Sequence, residues 1–331
     1  MENNLMVSST PHVRSKDTIS SVMRDVVIAL LPAAVMGIVY FGARAAALMV
    51  ISVVSAVAFE ALYQKAAKQK VTVCDFSAVI TGLLLAMNLP ASAPFWVPIV
   101  GAFFAIIIVK QLFGGLGQNF MNPALGARAF LVASYPTYTT GAAFGATGYG
   151  VIGALDATTQ ATPLAQIKEG AITVTQNDLI NALIGNIGGC IGETCAIALI
   201  LGGVYLMIRK VISWKIPVTY ILTVFVLTFI FKATGIAPNR VPVYELFTGG
   251  LMLGAFFMAT DYASSPVTPK GQIIMGIGCG LLTTLIRVFG GYPEGVSYSI
   301  LLMNLCVPLI DRYTRPTIFG AVKKAKEAKK A

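Results

Sequence analysis

Apolar residues run along this chain in ten blocks. They cover roughly 26–42, 45–63, 76–89, 95–109, 124–134, 187–208, 216–231, 247–260, 273–286 and 296–310. Continuous runs of this length, without strict alternation, predict helices rather than strands. Crossing a bilayer core takes about 20 helical residues. The third, fifth, eighth and tenth blocks are short for that. Asn122-Pro123 is a strong helix start, since Asn caps and Pro suits the first turn. A helix that begins there and ends near Ser134 starts inside the membrane. The longest interval without an apolar span, 135–186, holds a polar, threonine-rich stretch, Gly153 to Leu164. The pattern divides the chain into an amino-terminal segment (1–25), a first half (26–134), the loop (135–186), a second half (187–312) and a basic tail (313–331).

Composition agrees with the pattern. The 331 residues are 56% hydrophobic and only 11% charged, against about 25% charged in soluble domains, and mean hydropathy is +0.78. The fold expected is an all-α integral membrane protein of about ten transmembrane helices. Residues 1–25 are polar and hold no signal-peptide core. The five cysteines lie in or beside spans with no Cys-x-x-Cys pair. They read as packing residues, with a metal or iron–sulfur site at Cys190 and Cys195 as the alternative.

The net charge of +10 does not point to nucleic acid, because the basic residues gather at span ends and in the tail. With the amino terminus in the cytoplasm, eighteen of the 24 Lys and Arg fall inside and five outside, with Arg128 in a span. Positive charge favours the cytoplasmic side. The expectation is a multi-pass cell-membrane protein with both termini cytoplasmic and the loop around Thr162 outside.

The halves resemble each other. Lys110-Gln-Leu-Phe-Gly-Gly115 closes the fourth block and Arg287-Val-Phe-Gly-Gly291 the ninth, each before a short helix. Thr81-Gly-Leu-Leu-Leu-Ala86 resembles Thr248-Gly-Gly-Leu-Met-Leu-Gly254. Five spans per unit is odd, so the repeat is inverted. Short or interrupted helices in matching halves point to a midplane site.

Four places offer chemistry. Thr162 has no histidine to activate it, since His12 lies across the membrane, so it is not a nucleophile. Flanked by Ala161 and Pro163, it is either an exposed target for a modifying enzyme or part of an ordinary turn. In Gly114-Gly115-Leu-Gly117-Gln-Asn119-Phe-Met-Asn122, glycines admit a close ligand and the amides recognise one; the plainer reading is a capped interhelical turn. Asp261, among hydroxyls where the eighth block breaks, suits Na⁺ or a proton, or else ends a helix. Glu193 and Glu60 are intramembrane carboxylates, or interfacial ones. Asp75 is expected to cap the third helix, and Glu245 to cap likewise.

With these residues in view, the chain resembles the D subunits of the Rnf complex, the ion-translocating ferredoxin:NAD⁺ oxidoreductase. It is also similar to the B subunit of the Na⁺-translocating NADH:quinone oxidoreductase. The likeness spans nearly the whole chain. It rests on Ser-Thr-Pro-His12, Ile-Thr-Gly-Leu-Leu-Leu-Ala86, Gly-Gly-Leu-Gly-Gln-Asn-Phe-Met-Asn-Pro-Ala124, Asp156 with Ala161-Thr162-Pro163-Leu164, and Ala-Phe-Phe-Met-Ala-Thr-Asp261 with Ser-Pro266-Val-Thr268. The resemblance implies FMN joined to Thr162 by a phosphoester, although Gln160 replaces the family's glycine. It also implies a noncovalent riboflavin within the spans, placed against Gly114, Gly115, Gly117, Asn119 and Asn122. The implied function is a flavoprotein component of a redox-driven Na⁺ or H⁺ pump that is not active alone. Its partners would be other Rnf subunits and a flavin transferase. From the inverted repeat alone, a solute channel or secondary transporter is the rival, and a scaffold for redox subunits a third reading.

Overall fold

A computed structural model describes residues 17–139, 162–170, 174–193, 195–291 and 294–316. His12, the basic tail beyond residue 316, and Asp156 through Ala161 lie outside them. Every regular element among the described residues is helical. The first half holds α1 (Ile19–Phe41), α2 (Ala43–Ala66), α3 (Ser77–Met87), α4 (Trp96–Phe103, continuing as π-helix over Phe104–Gln111), α5 (Pro123–Ser134) and the short α6 (Pro136–Thr139). Two small helices follow, α7 (Pro163–Lys168) and α8 (Gln176–Ile184). The second half holds α9 (Ala196–Ile208), α10 (Lys215–Ala233), α11 (Pro242–Phe247), α12 (Leu251–Leu253, continuing as π-helix over Gly254–Met258), α13 (Pro269–Phe289) and α14 (Val296–Thr314).

The helix signals are local. Thr18 and Ser21 form a capping box at α1, and Asn122 Oδ1 accepts from the Ala124 and Leu125 amides ahead of Pro123. At α8, the hydrogen bonds from Thr175 hold the Asp178 carboxyl below its ordinary range. Four helices, α1, α2, α10 and α13, are long and apolar enough to cross a membrane. Their outward faces are apolar, as with Val50 and Val54 on α2 and Leu222 and Phe229 on α10. Outward apolar faces on long helices are what lipid requires, because hydrocarbon offers no partner to polar groups.

The short helices occupy the centre. Ten of the eleven residues of α3 are buried, as is every residue from Leu251 to Met258. A helix packed on all sides has little polar face to keep: Leu251–Met258 has no polar side chain, and α3 has only Ser77 and Thr81, one turn apart. Close approach depends on glycine. At Gly202 a Cβ would overlap the Ala29 carbonyl of α1, so α1 and α9 pack backbone to backbone.

The two halves run in opposite directions. Asp25, at the start of α1, is bound by Arg209 after α9 (3.0 Å), and Tyr40, at the other end of α1, donates to the Ile184 carbonyl (3.1 Å). These contacts define a near end and a far end. The π-helix after α4 ends in Lys110 at the near end, beside Glu60. α13 begins at the near end, where Thr268 meets Thr314 of α14 (2.5 Å), and ends in Arg287 at the far end. The start of α1 and the end of α14 therefore share one end.

Several boundaries differ from the sequence expectation. The sixth block is broken: a single tight turn at Ile191–Glu193 precedes a helix that starts only at Ala196. The eighth is split by Gly249 and Gly250, both at positive φ. The tenth is not short, since α14 has 19 residues. Thr81-Gly82 and Thr248-Gly249 are not equivalent: the first pair is helical, whereas the second forms the break before α12. Asp75 does cap, its Oδ1 accepting from Ser77 N at 2.8 Å. Glu245 does not, because two arginines hold it.

Three cations expected at the membrane surface are buried in ion pairs. Lys110 Nζ lies 2.9 and 3.0 Å from the Glu60 oxygens and 2.7 Å from Ser77 Oγ, with Lys110 2% and Glu60 1% exposed. At the far end Glu245 bridges Arg240 and Arg287. Removing one partner of a buried pair costs about 3–5 kcal/mol, whereas replacing both with apolar groups is often neutral. Lys110→Met or Glu60→Ala alone should therefore lower the melting temperature of the detergent-purified chain clearly, and Lys110→Met with Glu60→Leu should regain most of the loss. A double variant no better than either single would contradict the pairing. Gly202→Val should cost about 1–3 kcal/mol in the same melting experiment, through separation of α1 and α9.

Candidate functional site

Two clefts enter the bundle from opposite ends. The near-end cleft encloses about 90 Å³. Its polar wall comes from Ser77, Thr81, Lys110, Asn119, Asn122 and Asp261, and its apolar wall includes Leu84, Phe256 and Phe257. Between this cleft and the surface lies a wider vestibule of about 400 Å³ formed by Asp17 to Met23 with Leu116 and Gly117. Met23, Leu116, Asp261 and Tyr262 belong to both, so Asp261 stands at the neck.

The turn after α4 explains this wall. Gly114, Gly115 and Gly117 take φ of 115°, 91° and 84°, a region that side chains other than glycine rarely adopt. They reverse the chain so that Asn119 and Asn122 return into the bundle, both buried. Asn122 Nδ2 donates to the Met258 carbonyl (3.2 Å). Asn119 Nδ2 reaches the Met121 carbonyl (3.0 Å) and Asp261 Oδ2 (3.5 Å). Ser264 Oγ donates to the same Asp261 oxygen (2.9 Å). Asn304 of α14, its amide oriented by its neighbours, accepts from Asn122 N (3.1 Å) and donates to the Ser264 carbonyl (3.0 Å). Of the expected residues, Asn119, Asn122 and Asp261 converge on the cleft. Gly117 touches only the vestibule, and Gly114 and Gly115 line neither space; they shape the turn.

The far-end cleft is narrower, about 10 Å³, and is lined by Thr162, Pro163 and Leu164 on one side and by Gly188, Gly189, Glu193, Thr248, Gly249 and Glu294 on the other. Thr162 is not the exposed residue that the sequence suggested, being 7% exposed. Its Oγ1 accepts from Ala165 N (3.3 Å) and caps α7. The cause is the seat beneath α7: Leu164 and Ile167 are each 2% exposed, and a Cβ on Gly249 would overlap Leu164 Cδ1. Ala161 lies outside the described residues.

Arg128 of α5 lies behind this cleft, paired with two residues of its wall. Its guanidinium contacts Glu294, Glu193 Oε1 (3.3 Å) and Asn88 Oδ1 (2.6 Å). Cys190, Glu193 and Glu294 bring one ligand atom each to within 4.8 Å of one another. Arg128 already supplies positive charge among them, so the group is compensated without a metal. Arg287 directs its donors to the Glu245, Thr248, Gly249 and Glu294 carbonyls and to Glu245 Oε2. The clefts meet back to back, because Asn88 also reaches Met258 Sδ (3.7 Å) and the Met258 carbonyl takes Asn122.

Sequence reasoning left Asn88, Arg128 and Glu294 without a role and treated Lys110 as a loop charge. The available signal was the rule that an intramembrane charge needs a named partner.

Comparison with known proteins fits this architecture. The profile of the NQR2, RnfD, RnfE family matches residues 6–320. The chain is 53% identical over 330 residues to the D subunit of the Na⁺-translocating ferredoxin:NAD⁺ oxidoreductase complex of Acetobacterium woodii, covering 99% of both chains. It is 45% identical over 327 residues to the D subunit of the proton-translocating ferredoxin:NAD⁺ oxidoreductase complex of Clostridium ljungdahlii, covering 96% of this chain and 97% of that one. Over 346 aligned residues it is 34% identical to the D subunit of the ion-translocating oxidoreductase complex of Aliivibrio salmonicida, covering 96% and 99%. With a profile match over most of its length, the chain belongs to the NQR2, RnfD, RnfE family.

Proposed function

We propose that this chain is the D subunit of a membrane complex that couples electron transfer from reduced ferredoxin to NAD⁺ with outward movement of Na⁺ or H⁺. The observation that carries it is end-to-end similarity to relatives bearing that name, at 53% and 45% identity. In this reading Thr162 carries FMN through a phosphoester, and a noncovalent riboflavin occupies the near-end cleft. The complex lies in the cell membrane with both termini cytoplasmic, so Thr162 is outside. Other subunits of the complex and a flavin transferase are the partners.

The residues present fit both groups. Thr162 lines a cleft, and its oxygen acts towards the protein as an acceptor, so capping does not consume the hydroxyl proton. In the near-end cleft, Asn119 and Asn122 offer amides to the polar edge of a planar ring, and Leu84, Phe256 and Phe257 offer apolar walls to its faces. Flavin, once bound, supplies one- and two-electron chemistry that the protein tunes and positions. Lys110, held by Glu60 and Ser77, keeps a fixed positive charge at the wall. Asp261 at the neck, beside Ser264 and Asn119, is placed to take a cation entering from the vestibule.

The Acetobacterium and Clostridium relatives differ over the ion, sodium in one and proton in the other, so similarity does not choose between them. Ferredoxin-driven NAD⁺ reduction by membranes, measured with and without Na⁺, does. A rate that needs Na⁺ assigns sodium, and indifference assigns protons.

Two outcomes are expected for the flavins. After production with the transferase, the wild-type band should fluoresce under ultraviolet light on a denaturing gel, and Thr162→Val should be dark. A dark wild-type band would refute covalent attachment. Asn122→Ala should lower the riboflavin released by acid from the purified chain at least several-fold while Thr162 fluorescence persists. Full riboflavin content in that variant would put the noncovalent flavin elsewhere.

A further inference from the structure

We infer that α7 is a latch that has to unseat for Thr162 to receive its flavin. The inference rests on the reading that Thr162 is the attachment site, and adds to it a condition on access.

Attachment needs room. In the transfer, the threonine oxygen bonds to the flavin 5′-phosphorus of a flavin dinucleotide. The pyrophosphate bridge breaks, a nucleoside monophosphate leaves, and the hydroxyl proton passes to the transferase. A donor of that size has to approach the oxygen opposite the leaving group. Seated α7 denies this in three independent ways. Thr162 is 7% exposed, and its oxygen is turned onto the α7 amide of Ala165. The cleft it lines encloses only about 10 Å³ and gives a dinucleotide no room. Leu164 is pressed against Gly249, whose φ is 66°, and Arg287 fixes that turn through the Thr248 and Gly249 carbonyls (3.0 and 3.3 Å).

The same contacts make the latch reversible. α7 is six residues long, too short to hold itself as a helix, so its place depends on Leu164 and Ile167. Ile167 packs with Ala182 and Tyr244. Two apolar side chains are the whole of the anchor, few enough for the seat to open. Pro163 keeps the link between anchor and acceptor rigid, so unseating Leu164 carries Thr162 out with it.

The test uses the full-length chain purified from cells that lack the transferase, then mixed with purified transferase and flavin adenine dinucleotide. Incorporation is followed by fluorescence of the denatured band and by mass of the Thr162 peptide. Wild type should be modified slowly. Leu164→Ala and Ile167→Ala should each be modified about tenfold faster or more, at Thr162, with Thr162→Val blank. A variant that misfolds loses modification rather than gaining it, so the rise in rate is not mimicked by damage, and Ile167→Ala, distant from the acceptor, serves if Leu164→Ala does not fold. Wild type modified as fast as the variant that folds overturns the latch. If wild type is dark even when co-produced with the transferase, it is the attachment site that fails instead.

Discussion

A charge left alone inside an apolar bundle is not tolerated, and the rest of this structure depends on how that demand is met. Isolated buried ions cost many kcal/mol, and a partner with good hydrogen bonds is the way to keep them charged. Here Lys110 takes Glu60, Arg240 and Arg287 share Glu245, and Arg128 takes Glu193 and Glu294. Apart from the local Arg240–Glu245 pair, each joins elements separated in sequence. Glu60 ties α2 to the end of the π-helix after α4. Glu245 ties α11 to α13. Arg128 ties the first half to the turns of the second. The helices cannot slide past one another without uncovering a charge.

These pairs also explain where the clefts end. The near-end cleft ends at Asn122, which holds the Met258 carbonyl, and the far-end cleft ends at Glu193 and Glu294, which hold Arg128. Asn88 belongs to both boundaries, with its Oδ1 on Arg128 and its Nδ2 on the Leu84 carbonyl (2.7 Å) and Met258. Inversion of the halves produces this arrangement, because it brings one broken helix to the centre from each end. α3 descends from the near end and stops at Asn88. α12 and its π-helix run from Gly250 at the far side to Met258. Pi-helical turns of this kind recur at functional sites, and both here lead into a cleft residue, Lys110 in one half and Asp261 in the other.

Much of the fold was legible. Each of the ten apolar blocks holds a helix, since run length and composition carry that signal, and Asn122-Pro123 marked a helix start by chemistry that acts over three residues. The Phe-Gly-Gly pairing of Lys110 with Arg287 led to two equivalent helix ends. The fate of those cations was not legible. A lysine after an apolar run looks like a surface anchor, and only a glutamate fifty residues earlier in the chain, brought alongside by α2, makes it an interior one. Glu245 misled for the same reason: its spacing resembled a cap, and the arginines that claim it come from the α10–α11 loop and α13. The setting of Thr162 was not legible, because the seat under Leu164 is built by Gly249 and Arg287 from the other half.

Back-to-back clefts constrain any mechanism. Under the proposed function, electrons pass between a near-end flavin and Thr162, and they can tunnel through a thin septum without a polar path. An ion cannot. Between Asp261 and the far-end cleft stand Met87, Met258 and Leu125, each with no more than 1% exposure, and beyond them Arg128 with its contacts made. A cation following the electrons would have to displace Asn88 or Arg128 and leave Glu193 and Glu294 uncompensated on the way. Under the proposed function, electron and ion routes would share an entrance near Asp261 and then diverge. In that reading divergence suits one subunit of a complex, because the outward faces of its long helices are apolar, and an ion path completed between subunits would need no hole through the one proposed to hold the flavins.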